Sequence, residues 1–219
     1  MIGLFPLHIV LFPGSSYPLN IFESRYKILI REAMTSKTEF GINLVDAGRM
    51  FPVGCLAQVT EVLNTDEEGR MDIIVTGTNR YMVKAFYTDA APYLTADTDS
   101  FDDEDPRPEY TVLEETISLY NQLIESVYGE AEDVLDPADW LGGGASFRMA
   151  QKSGLDLTVR QQLLEMRSET ERLAFINHYL SEILPKIKEV EKFQMLVRND
   201  GYIKPGTTFG ETGDIGESE

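Results

Sequence analysis

The sequence predicts an α+β protein in which short, mainly antiparallel strands come first and amphipathic helices follow. Three observations predict it: apolar and polar residues alternate through roughly the first hundred positions, turn formers punctuate that region, and beyond an acidic stretch the apolar period lengthens to three and four residues. In the first half, Val53, Cys55, Ala57 and Val59 are apolar at every second position. After the turn Asp66-Glu67-Glu68-Gly69 the alternation resumes through Met71, Ile73 and Val75, a hairpin pattern. A further strand is expected through Tyr81, Val83, Ala85 and Tyr87, set off by Thr78-Asn79-Arg80, and another over Tyr93 to Thr98 after Ala91-Pro92. One helix interrupts the strands: Ser24 to Met34 places Tyr26, Leu29 and Ala33 on one stripe, with Ile30 and Met34 beside it.

Between Asp97 and Asp105 there are six acidic residues and no basic one, and Asp105-Pro106-Arg107-Pro108 follows. Such a run repels itself and is expected to be solvated rather than packed, so the internal boundary is placed there. The organisation expected is residues 1–105 as the strand-rich unit, 106–200 as a helical bundle and 201–219 as an acidic flexible tail. Leu113, Ile117, Tyr120, Ile124 and Val127 share one helix face. Thr158 with Gln161, and Ser168 with Glu171, fit capping boxes, in which paired side chains satisfy the free amides of a helix start. The second opens a stripe of Leu173, Ile176, Leu180, Ile183 and Ile187, which Pro185 is expected to kink or end near Leu184. Each fully buried Leu or Ile is worth about 1.5–3 kcal/mol, so these stripes must meet one another or the sheet. Gly142-Gly143-Gly144 marks a break between Trp140 and a short helix over Ala145 to Ser153 that Gly154 can cap.

Charge and composition exclude several functions. The formal charge is -18, from 37 acidic and 19 basic side chains, and such a field repels phosphate polymers and anionic membranes; no nucleic-acid or membrane partner is expected. Cys55 is the only cysteine, which rules out an intramolecular disulfide and fits a reducing, cytoplasmic setting. The N-terminal segment shows no export signal, and no apolar stretch approaches the roughly 20 residues a membrane helix needs.

Catalytic machinery is equally absent from the sequence. There is no Gly-Lys dipeptide for a Walker-type phosphate loop and no Gly-x-Ser-x-Gly elbow, and Ser15 and Ser146 have no evident base. His8 and His178 are too few and too far apart in sequence for a histidine-rich metal site. Asp102-Asp103-Glu104 lies in the acidic run and is read as surface charge rather than a glycosidase pair or a calcium loop. The expectation is a protein with no catalytic residues, no metal and no cofactor.

Pro6-Leu7-His8-Ile9-Val10-Leu11-Phe12-Pro13-Gly14 resembles the opening of the Lon protease N-terminal domain, and Tyr17-Pro18-Leu19-Asn20-Ile21-Phe22-Glu23-Ser24-Arg25-Tyr26 is similar to that family's proline-leucine strand and Phe-Glu-x-Arg-Tyr helix start. Phe40-Gly41-Ile42, Val53 to Ala57, Glu68-Gly69-Arg70, Gly77 to Tyr81 and Pro92-Tyr93-Leu94 follow in family order. More weakly, Ser146 to Ala150, Gln162 to Glu165 and Arg172-Leu173 are similar to the bundle of stand-alone, single-domain relatives. The glycine triplet and the tail after Asn199-Asp200-Gly201-Tyr202 depart from the family pattern. The resemblance implies a PUA-like, partly closed antiparallel β-barrel with one inserted helix, followed by a C-terminal helical bundle. It also implies a non-catalytic module for unfolded or exposed polypeptide segments or a protein partner, an adaptor in protein quality control without Lon's ATPase and peptidase.

Two alternatives stand beside it: RNA binding, which rests on fold analogy and is opposed by the charge, and a small-molecule enzyme in the barrel-bundle cleft, for which no residue nominates itself. The rim expected to contact polypeptide is Phe12, Pro13, Tyr17, Pro18, Leu19 and Phe22, although aromatic and proline residues beside turns more often serve core and turn. Glu23, Arg25 and Tyr26 are expected to tie the helix start to a neighbouring loop. Trp140, a candidate partner anchor, is more often partly buried core. The oligomeric state is left open.

Overall fold

The computed structural model describes residues 1–128 and 133–200; the tail expected over 201–219 lies outside them. The fold is α+β. Strands β1 (Ile2–Leu7), β2 (Ser16–Ile21), β3 (Phe40–Asp46), β4 (Arg49–Met50), β5 (Val53–Thr65), β6 (Met71–Tyr87) and β7 (Thr95–Ser100) enclose one inserted helix, α1 (Ser24–Ser36). Helices α2 (Tyr110–Tyr128), α3 (Ala145–Lys152), α4 (Leu157–Glu165) and α5 (Glu169–Asp200) follow, with a short 3-10 turn at Pro137–Trp140.

The pairing runs β1-β7-β6-β5-β3 and returns through a β1–β3 pair, so the sheet curls into a partial ring. It is mostly antiparallel, β1–β3 being parallel. It stops short of a regular barrel: the β1–β7 join spans only two residue pairs, Ile2 with Ala96 and Gly3 with Thr95, and β2 lies off the ring on β6. The break expected at Thr78-Asn79-Arg80 is absent. β6 continues for 17 residues: the triplet falls at the register shift where Arg80 pairs with Cys55 and Gly77 with Ala57, so the ladder with β5 takes it up as a bulge and the chain does not turn.

One apolar core lies between the curled sheet and α1, where Tyr26, Leu29, Ile30 and Ala33 meet Phe5, Ile42, Ile73 and Val75. A second lies between sheet and bundle, where Phe12, Leu44 and Val53 meet the inward stripes of α2 to α5. Tyr81 is buried in a third and donates its phenolic proton to Asn43 Oδ1. Gly41 makes this possible, because a Cβ there would collide with the Tyr81 hydroxyl.

Cys55, fully buried on β5, has its thiol pushed up to about 12 by burial, with smaller opposing effects from a backbone hydrogen bond and Arg80. The neutral thiol is a poor nucleophile. We expect iodoacetamide at pH 8 to leave the folded protein unlabelled and to modify Cys55 once urea unfolds the chain, read by intact mass; rapid labelling without denaturant would contradict this burial.

The helical half differs from expectation in two places. α5 passes through Pro185 to Asp200, because Leu180 and Leu184 are buried and Ile183 and Ile187 also pack on the core, so contacts on both sides of the proline carry the helix across one missing amide donor. The Thr158–Gln161 box does not form: Asp156 caps α4 by accepting from the Val159 amide, and Gln161 is buried, donating to the Val53 carbonyl. At the other box, Ser168 Oγ accepts from the Glu171 amide at 3.4 Å.

Candidate functional site

Sheet and bundle are joined by charged groups that lie far apart in the chain. Arg80 on β6 donates to the carbonyls of Leu164 (2.8 Å) and Met166 (2.6 Å) and pairs with Asp103. Arg172 on α5, fully buried, donates to both Asp103 oxygens (2.7 and 2.6 Å), to Glu169 Oε2 (2.7 Å) and to Ser146 Oγ (2.8 Å). Glu169, also fully buried, accepts from the Ser146 amide and hydroxyl. Both guanidinium groups lie over the Phe147 ring, Arg172 at 4.2 Å from its centroid. The reading of Asp97 to Asp105 as a solvated spacer is therefore corrected. Its first part forms strand β7, and Asp103 is neutralised by two arginines that lie 23 and 69 residues away in the chain. The hydrogen bonds of Arg80, Arg172 and Glu169 run to partners in both halves, so this cluster holds the two halves together.

The six expected contact residues do not form one rim. Phe12 is fully buried, stacked on Phe147 at 5.6 Å between centroids, and has no surface to offer; it is corrected from candidate contact to core. Pro13 lines a small cleft of about 210 Å³ between sheet and bundle with Trp140 and Phe147, beside the buried Ser15 hydroxyl, which has no partner. Tyr17 and Leu19 on β2 are half-buried against the sheet core, and Pro18 between them is exposed. Phe22 is 61% exposed at the far end of β2, next to a polar hollow lined by Asn20, Arg70 and Asp72. Glu23 and Arg25 pair at 2.8 Å with Arg25 over the Tyr26 ring at 4.6 Å, so the trio is local. The tie to the neighbouring hairpin is made instead by Lys27, which donates to the Glu68 carbonyl at 3.0 Å. Trp140 is half-buried against the bundle core. The glycine triplet forms a tight turn: Gly143 and Gly144 have φ of 99° and 90°, and a Cβ on Gly143 would collide with the Pro106 carbonyl.

A larger concavity opens elsewhere, at the edge of β5 beside α1. α1 ends at Ser36, and Lys37 turns the chain in the left-handed region (φ 53°), its amide donating to the Ala33 carbonyl. β3 therefore starts only at Phe40, opposite Ala57. Beyond Ala57, β5 runs on to Thr65 paired with β6 alone, so its other edge has no strand partner among the described residues. Backbone amides and carbonyls along such an edge are obligatory hydrogen-bonding groups that water or an added strand must satisfy.

Between this edge and the end of α1 lies a cavity of about 420 Å³ lined by Met34, Lys37, Glu39, Glu61 and Val62, among others. It shares Ala33, Lys37, Thr38, Glu39 and Gln58 with a second hollow of about 730 Å³ that reaches Glu32, Tyr93 and Met1. Apolar side chains stay in water here: Met34 is 41%, Val62 40% and Leu63 55% exposed. The sequence reading missed Val62 and Leu63, although this apolar doublet breaks the alternation set by Val53 to Val59. The ladder slips in register between Val62 and Asn64, and that slip leaves both side chains exposed.

The curled sheet with its inserted helix and C-terminal helices is the fold of Lon N-terminal domains. The chain is similar to the Lon N-terminal domain protein of Xanthomonas campestris, with a TM-score of 0.61 and 23% identity over 80% of this chain and 95% of that one. The N-terminal domain of the Mycobacterium avium complex Lon protease superposes with a TM-score of 0.65 and 19% identity, covering 82% and 97% respectively. The family model for the ATP-dependent protease La (LON) substrate-binding domain matches residues 1–182, and the chain belongs to that family.

Proposed function

We propose that this chain is a non-catalytic polypeptide-binding module that holds exposed, unfolded segments for protein quality control as an adaptor. Residues 1–105 carry the binding surface, and the bundle of 106–200 braces it. The observation that carries this reading is the trough along α1 and β5, where an unpaired strand edge and exposed apolar side chains lie side by side, the two features an extended polypeptide satisfies at once. Family membership supports the same reading, since the family's model describes a substrate-binding domain. The field of the whole chain, at -18, opposes RNA in that role. Among the described residues no helix is long and apolar enough to cross a membrane.

The test is binding of a fluorescein-labelled, reduced and alkylated protein chain, followed by anisotropy. Because Met34 and Val62 are solvent-exposed, Met34→Glu and Val62→Glu should leave circular dichroism and melting intact while together weakening binding about tenfold or more. Undiminished binding by the folded double variant would remove this trough, and loss on Phe22→Asp alone would move the site to the far end of β2.

A further inference from the structure

We propose that the occupant of this trough is a strand: an extended segment carrying Lys or Arg between aliphatic residues, which pairs with the open edge of β5 in the line of β3. The inference rests on the polypeptide-binding reading and names its chemistry.

Its first support is topological. β3 and β5 run antiparallel, with Phe40 opposite Ala57, Gly41 opposite Leu56 and Ile42 opposite Cys55, and the ladder ends because α1 and its left-handed exit at Lys37 occupy the chain before Phe40. The lane that β3 leaves empty continues beside β5 towards Thr65. A segment entering it runs in the direction of β3, its C-terminal end nearest Phe40, and six residues at about 3.3 Å each match the stretch Thr60 to Thr65. The side chains such a strand would meet on the flanks are those left exposed, Met34, Val62 and Leu63.

The second support is charge. Glu32, Glu39 and Glu61 line the two joined hollows, against Lys37 and the N-terminal ammonium of Met1, which Asp97 pairs. Cationic side chains are attracted there, and anionic ones meet both these carboxylates and the net charge of -18. The same charge argues against a second copy of this chain as the occupant. So do the register slips at Val59/Glu61 and Val62/Asn64, because a bulged, twisted edge is a poor template for another folded strand edge, whereas a flexible segment can follow it.

The experiment uses the full chain and an acetylated, amidated seven-residue peptide alternating valine and lysine, with affinity read by anisotropy. In an extended segment alternate amides face the same edge, so N-methylating the odd or the even lysine-valine amides removes donors from one edge at a time. The expected result is that one pattern weakens binding about tenfold or more while the other leaves it nearly unchanged. Replacing every lysine by glutamate should weaken binding about tenfold or more, and Glu61→Lys should narrow that preference. Equal effects of the two N-methyl patterns would overturn strand addition, and equal affinity for the lysine and glutamate peptides would overturn the charge selection. Either failure is distinguishable from failure of the polypeptide-binding reading, which falls if the parent protein does not bind the unfolded chain, and from failure of the trough as its site, which falls if Met34→Glu with Val62→Glu leaves that binding untouched.

Discussion

Replacing Arg172 with methionine is expected to destabilise the protein by about 3–5 kcal/mol, the usual consequence of removing one partner from a buried ionic cluster. The guanidinium is fully buried and serves Asp103, Glu169 and Ser146 together; without it Glu169 is left as a buried carboxylate whose remaining partners are the Ser146 amide and hydroxyl. For a chain of this size the melting temperature should fall by roughly 10 °C, measurable by calorimetry beside urea unfolding. A loss below about 1 kcal/mol would show that Arg80 alone suffices for Asp103 and that the cluster is not the seam. The same cluster makes stability depend on pH with a definite sign. Burial pushes the Asp103 carboxyl up, but the hydrogen bonds and charges of Arg172 and Arg80 outweigh it and hold the group below its ordinary value. A depressed folded-state pKa contributes stability that is present above the unfolded value of about 3.9 and is lost as pH falls through the folded one. Urea midpoints should therefore drop below about pH 4, and Asp103→Asn should show a shallower fall across that window.

Phe12→Ala should cost about 3–5 kcal/mol, whereas Phe22→Ala should stay within about 0.5 kcal/mol of the parent. Both aromatics belong to the segment that resembles the Lon N-terminal domain, and nothing local in the sequence separates them. Phe12 is sealed between the sheet and Phe147, so truncating it opens a cavity at the centre of the seam, while Phe22 already stands in water. Comparable losses in the two variants would mean that the seam is less tightly packed than its geometry shows. Phe12→Asp for the same reason reports on folding, and binding is better probed at Met34 and Val62.

Family, fold class and most elements were legible in the sequence because each rests on local information. The alternation at Val53 to Val59 and Met71 to Val75 encodes two strands, the stripes at Leu113 to Ile124 and Leu173 to Ile187 encode two helices, and the ordered landmarks from Pro6 to Tyr26 carry the resemblance. Pro185 and the Thr78-Asn79-Arg80 stretch depart from their local preference because tertiary packing there outweighs it: core contacts carry α5 past its missing donor, and the ladder with β5 takes up the polar triplet at a register shift.

By itself the sequence determined which segments become strands or helices, the excess of negative charge, and the family. Only the tertiary structure decided that Asp103 from an acidic run would be clasped by arginines 23 and 69 residues distant, that Phe12 would be core while Phe22 is surface, and that β5 would outrun β3 and leave an edge open beside α1. Those outcomes depend on where long-range partners end in space, and a strand edge is open or closed according to a neighbour's length, which its own residues do not encode.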